Sequence, residues 1–186
     1  NYYLSGAYLS AGRGPILETK LPWSTSSSSK SNTLNQKSDY YVNEIDYISS
    51  KSCDANTILA IKKNLTEYGA MGAVIYAESP TYVSDDKLAY YYNGSKSINH
   101  ALTIIGWDDD YSASNFKTTP KGNGAWLTKD TYPTIFTGNS TIPAGYHYVS
   151  YYDTNICASL MSAYKVEAAS FDNKYTNNIH GFSGNI

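Results

Sequence analysis

Apolar positions recur along this chain in two periods, and the period changes near residue 70. Before that point, Tyr3, Leu4, Ala7, Tyr8 and Ala11 fall at helical spacing over residues 2–12, with Gly12 and Gly14 as stops, so a short helix is predicted. Residues 24–39, opening with Ser24-Thr25-Ser26-Ser27-Ser28-Ser29, hold almost no apolar anchors and read as a surface loop. Asp54 then stands as a cap ahead of Ile58, Ile61, Leu65 and Tyr68. These repeat at steps of three and four, with Lys62, Lys63 and Glu67 expected to face outward and Gly69 to end the helix. Beyond Gly69 the runs shorten and read as strands: Ala70 to Tyr76, Ala101 to Trp107, Gly124 to Thr128, Tyr146 to Tyr152 and Met161 to Ala168. Several strands without helices between them suggest an antiparallel sheet or half-open barrel, and the expected fold class is α+β. No internal repeat is present.

Composition narrows the function classes. With 186 residues, 41% of them apolar and 16% charged, the chain can bury a core as one domain. A net charge of −2 with scattered Lys and Arg offers no basic field, so nucleic acid is not an expected partner. No run approaches the roughly 18 apolar residues of a membrane helix, so membrane insertion is not expected. Asp108-Asp109-Asp110, with Asp85-Asp86 and Asp153, offers oxygen ligands but lacks the alternating spacing and glycine of a calcium loop; neither metal nor cofactor is expected. Twenty tyrosines among many Ser, Asn, Thr and Gly give a hydrogen-bonding surface of the kind associated with secreted or wall-attached microbial proteins. Cys53 and Cys157 allow one disulfide or two free thiols.

Three segments carry the chemistry. Ile98-Asn99-His100-Ala101-Leu102-Thr103-Ile104-Ile105-Gly106-Trp107 is followed by Gly124-Ala125-Trp126-Leu127-Thr128-Lys129-Asp130, and then by Gly145-Tyr146-His147-Tyr148-Val149-Ser150-Tyr151-Tyr152. In this order they resemble the second half of a papain-like cysteine peptidase. In that family an Asn/Asp-His-Ala strand supplies the general base, a Lys-Asn-Ser-Trp strand supplies the residue that orients it, and a third strand reads Gly-Tyr. The resemblance covers most of residues 1–165 and implies that His100 is the base. An imidazole with an unperturbed pKa near 6.5 can take a thiol proton and remain beside the thiolate as imidazolium. His147 and His180 lack such a context and are expected to be structural. Asp130 occupies the position of the orienting Asn, thirty residues after His100; a carboxylate would also fix the ring and would further stabilise an imidazolium. Thr131 and Tyr132 stand where the family usually has Ser and Trp, with Tyr132 and Trp126 as the supporting aromatics.

The resemblance implies a papain-like fold: residues 1–23 a remnant of the helical lobe, 24–39 a surface loop, and 40–186 the β half-barrel lobe. It also implies that the pocket for the side chain two residues before the scissile bond is lined by Val74, Asn99 and Ala101, with Met71 and Gly72 nearby. A small apolar lining suits apolar or aromatic side chains. The nucleophile of the family lies in a Gln-x-x-x-Cys-Gly-Ser-Cys-Trp segment that this chain lacks, and roughly 130–150 residues separate that Cys from the His and Asn. Counting back from His100 puts the nucleophile before Asn1. The chain is therefore expected to be the C-terminal portion of a secreted or cell-surface cysteine endopeptidase. Its expected partners are a peptide or protein substrate and an upstream segment carrying the Cys, with dimerisation through the lobe remnant if apolar surface on residues 2–17 is left uncovered. Two other readings stand beside this one: a catalytically inactive papain-like scaffold used for adhesion or carbohydrate binding, and an unrelated β-rich binding module.

Overall fold

Local signals decide the two helices. In the computed structural model, which describes residues 2–11, 14–22, 38–78, 82–84, 88–131 and 145–169, α1 spans Tyr2–Ser10. It presents Tyr3, Leu4 and Tyr8 to solvent. α2 spans Ala55–Tyr68. The Asp54 carboxylate accepts the Thr57 N–H at 2.8 Å and so satisfies one of the N–H groups the first turn leaves open. At the other end Gly69 takes a left-handed φ of 84°, and its N–H returns to the Leu65 carbonyl. Ile61 and Leu65 are buried as the periodicity predicts. Lys62 departs from expectation. Its ammonium lies over the rings of Trp107 and Tyr151 and meets Asp109 at 2.5 Å, and the side chain is only 18% exposed.

Among the described residues, eight strands follow the predicted order with three additions. They are β1 (Tyr40–Ser49), β2 (Met71–Ile75), β3 (Val83–Ser84), β4 (Ala89–Tyr90), β5 (His100–Asp108), β6 (Ala125–Lys129), β7 (Tyr146–Ser150) and β8 (Leu160–Ala168). The sequence reading anticipates β2 and β5 to β8 but not β1, β3 or β4. Contacts divide the chain into two units, Asn1–Ile45 with Tyr164–Ile186, and Asp46–Ala163.

In the smaller unit, Asp39 accepts the Leu17 N–H at 2.9 Å and pairs with Lys20. Glu167, near the end of β8, takes hydrogen bonds from Tyr41 and from the Asn43 amide. Most of the Ser-rich 24–39 loop lies outside the described residues.

In the larger unit the strand order is β8-β2-β5-β6-β7-β4-β3. The pairings are antiparallel except that β4 runs parallel to β7. Met71, Ala73 and Ile75 of β2 and Leu102 and Ile104 of β5 all face one buried side, joined there by Ile61, Trp126, Val149 and Met161. Many tyrosines pack on one another instead of facing water: Tyr76 lies 4.8 Å from Tyr92, and Tyr111 lies 4.2 Å from Tyr148. Cys53 and Cys157, 104 residues apart, form a disulfide that closes the loop before α2 onto the turn after β7. Among the described residues no helix is long and apolar enough to cross a membrane, and no group of His, Cys, Asp and Glu is placed to hold a metal ion.

Candidate active site

Antiparallel pairing of β5 with β6 brings the first residue of one strand beside the residue that follows the other. Thr103 lies opposite Lys129 and Ile104 opposite Thr128, so His100 and Asp130 come to the same end of the sheet. Strand alternation puts both on the buried face, His100 with Leu102 and Ile104, Asp130 with Thr128 and Trp126. His100 Nε2 lies 2.5 Å from Asp130 Oδ2. The side chains are 16% and 1% exposed, so the imidazole reaches solvent while the carboxylate does not. A carboxylate accepts the Nε2–H, which fixes the ring and makes Nδ1 the nitrogen that exchanges protons.

Asp130 is itself held from β7. Its N–H donates to the Gly145 carbonyl at 2.7 Å. Gly145 has a φ of 86°, and a Cβ there would lie 3.0 Å from the Asp130 carbonyl oxygen, so the turn into β7 takes the conformation glycine adopts most freely. Two residues later, His147 sits opposite Thr128 with no exposed surface. Burial pushes its pKa from 6.5 down to about 3, with the Asp130 charge opposing the shift and His100 reinforcing it.

The other expected site residues separate. Val74 pairs with Ala101 and Gly72 with Thr103, on the sheet face opposite His100 and Met71. Val74 and Gly72 are half-buried and Ala101 is exposed. Gly72 also pairs with Ser162 of β8, a neighbour the sequence reading did not include. Met71 faces the core at 1% exposure. The Asn99 amide is committed to the backbone of Ala77, accepting its N–H at 2.7 Å and donating to its carbonyl at 3.1 Å. Trp126 is fully buried against Tyr151, 4.5 Å between ring centroids. Tyr132 and His180 lie outside the described residues. His147, expected to be structural, is fully buried, in an inward slot of the alternation of β7.

Solved structures share this fold. A clostridial cysteine protease, Cwp84 after propeptide cleavage, superposes with a TM-score of 0.70 at 27% identity, covering 89% of this chain and 40% of that one. The cysteine protease and lectin-like domains of Cwp84, a surface-layer-associated protein of Clostridium difficile, give 0.69 at 27% identity, covering 90% and 37%. Bromelain from Ananas comosus gives 0.56 at 16% identity, covering 87% and 67%. The fold is papain-like. The chain spans well under half the length of the two Cwp84 structures. No protein-family model matches it, and no curated protein matches its sequence. A papain-like α+β fold, mostly one large sheet with two helices among the described residues, sets aside the reading as an unrelated β-rich module.

Proposed function

We propose that this chain supplies the base and its orienting residue to a papain-like cysteine peptidase that hydrolyses peptide bonds. The observation that carries the proposal is the His100–Asp130 pair, 2.5 Å apart, with the imidazole partly open to solvent and the carboxylate beneath it. Both cysteines of the chain are bonded to each other, so neither serves as nucleophile. The thiolate is assigned to a segment outside residues 1–186, which also supplies the oxyanion donors.

His100 Nδ1 takes the thiol proton, and the imidazolium is held by Asp130. Sulfur attacks the scissile carbonyl carbon and a C–S bond forms. On collapse the C–N bond breaks and the Nδ1 proton passes to the departing amine. Nδ1 then takes a proton from water as its oxygen attacks the thioester carbon; the C–O bond forms, the C–S bond breaks, and the proton returns to the departing sulfur. Val74, Ala101 and Gly72 are assigned to the wall that receives an apolar or aromatic substrate side chain.

The surface-layer association of the Cwp84 relative and the disulfide both support an extracellular or cell-surface location, since disulfides persist in oxidising compartments. In the full-length protein, His100→Ala is expected to lower peptide hydrolysis by about 10²–10⁴-fold while a thiol-reactive peptide inhibitor labels a cysteine outside this chain. Unchanged hydrolysis in His100→Ala would reject the assignment. Absence of both hydrolysis and labelling in the wild-type protein would favour the inactive scaffold.

A further inference from the structure

The connection from β4 to β5 leads directly into His100, and little apolar burial holds it. Tyr92 is 1% exposed, but after it Asn93 and Ser95 to Asn99 are exposed and Gly94 is half-buried, with Ile98 at 46% exposure. A segment with so few buried contacts is the kind that opens locally, so its hydrogen bonds decide where it sits.

At its near end those bonds run to the turn after β7. Asp153 is buried there at 4% exposure, and its carboxylate accepts three backbone N–H groups, Oδ2 that of Tyr92 at 3.0 Å and Oδ1 those of Asn155 at 2.9 Å and Ile156 at 3.0 Å. Thr154 answers in the other direction, its N–H donating to the Tyr92 carbonyl at 3.0 Å and its hydroxyl to the Gly94 carbonyl at 3.0 Å. Asn155 reaches the exit of β2, where its side-chain oxygen accepts the Tyr76 N–H at 3.2 Å. At the far end of the connection the Asn99 N–H donates to the Ile75 carbonyl at 3.1 Å, and Ile75 is the residue that pairs with His100. One turn, tied by Cys157 to the loop before α2, therefore holds both segments that flank His100.

We propose that Asp153 is a positioning residue of the site, whose carboxylate clasps Tyr92 to the turn after β7 and so fixes the connection that leads into His100. A carboxylate presents oxygen at both ends. An amide of the same size must turn an N–H towards Tyr92 or towards Asn155 and Ile156, donor against donor. Asp153→Asn thus breaks one side of the clasp without changing its volume.

The proposal rests on reading His100 as the base, but its test follows backbone amides and the His100 ring in the 186-residue chain and not hydrolysis, so the two fail separately. Amide hydrogen exchange would be compared for wild type and Asp153→Asn at neutral pH, above the value of about 6 to which burial raises this carboxyl. Exchange at Tyr76, Tyr92, Lys96 and Asn99 is expected to quicken about 10–100-fold, as loss of a hydrogen bond to a charged group implies, while Leu65 in α2 stays as protected as before. The His100 ring signals should shift and broaden. Unchanged exchange at Tyr92 and Asn99 would overturn the proposal, as would equal acceleration at Leu65, or His100 ring signals that stay unchanged while the connection loosens. If Asp153→Asn does not fold, Thr154→Ala removes the bond to Gly94 from an exposed position. It should quicken the same amides about 3–10-fold and is judged by the same outcomes.

Discussion

At the scale of single residues, Asp130 is where this chain departs from the family pattern it resembles, and the geometry says what the departure does. The carboxylate accepts from Nε2 at 2.5 Å in the place where an amide oxygen would accept, so the tautomer is the same for either side chain. What changes is charge: a buried carboxylate stabilises the imidazolium, and an amide does so less. Asp130→Asn in the full-length protein is therefore expected to keep peptide hydrolysis within about tenfold. Asp130→Ala frees the ring and should cost about 100-fold, mainly in kcat, since misplacing a reacting group by about an ångström has that effect. Steady-state kinetics of both variants check the pair; equal losses in the two would mean that Asp130 acts by packing alone.

At the scale of elements, α2 was readable because its signals are local. Asp54 and Gly69 sit one residue beyond its two ends, and each makes the cap its residue type favours. Asp54→Ala is expected to lower Tm by about 2–4 °C with no change in the spectra of His100, a result that thermal melts and imidazole spectra would check together. The strands β2 and β5 to β8 were readable for the same reason: each is a short apolar run bounded by turn residues. β1 was missed because its half-buried and exposed positions do not alternate, so Tyr40–Ser49 carries no period-two signature despite its ten residues. β3 and β4, two residues each, are too short to show any period. In the site, the pairing of His100 with Asp130 was readable from motif and spacing. The place of His147 opposite Thr128 was not, because it depends on the β6–β7 register, which no local pattern states. Lys62 was expected in solvent because a lysine on the polar side of a helix gives no sign of the two rings its ammonium will meet.

At the scale of the whole molecule, two buried titratable groups act on stability in opposite directions. His147 falls from 6.5 to about 3, so the unfolded chain binds its proton first as pH drops; this destabilises the fold progressively between about pH 6.5 and 3. Asp153 rises from 3.8 to about 6, because burial outweighs the hydrogen bonds it accepts from the Asn155, Tyr92 and Ile156 N–H groups. There the folded chain binds the proton first, and its contribution, full below about pH 3.8, is lost as pH rises through 6. Between about pH 4 and 6 each group moves close to one proton in the opposite sense, so the two slopes nearly cancel and Tm should be almost level. Below about pH 4 the Asp153 slope is spent while that of His147 persists. Asp39, Asp54 and Asp109, held below the ordinary carboxylate range chiefly by hydrogen bonds from Leu17, Thr57 and Lys62, then lose their contributions too, and stability should fall steeply. Removing one of the opposed groups exposes the other. His147→Phe leaves Asp153 unopposed, so its Tm should rise on acidification from pH 6 to 4, where wild type stays level. Thermal melts at half-unit pH steps check this. A His147→Phe profile parallel to wild type through that window would show that the imidazole is not buried neutral.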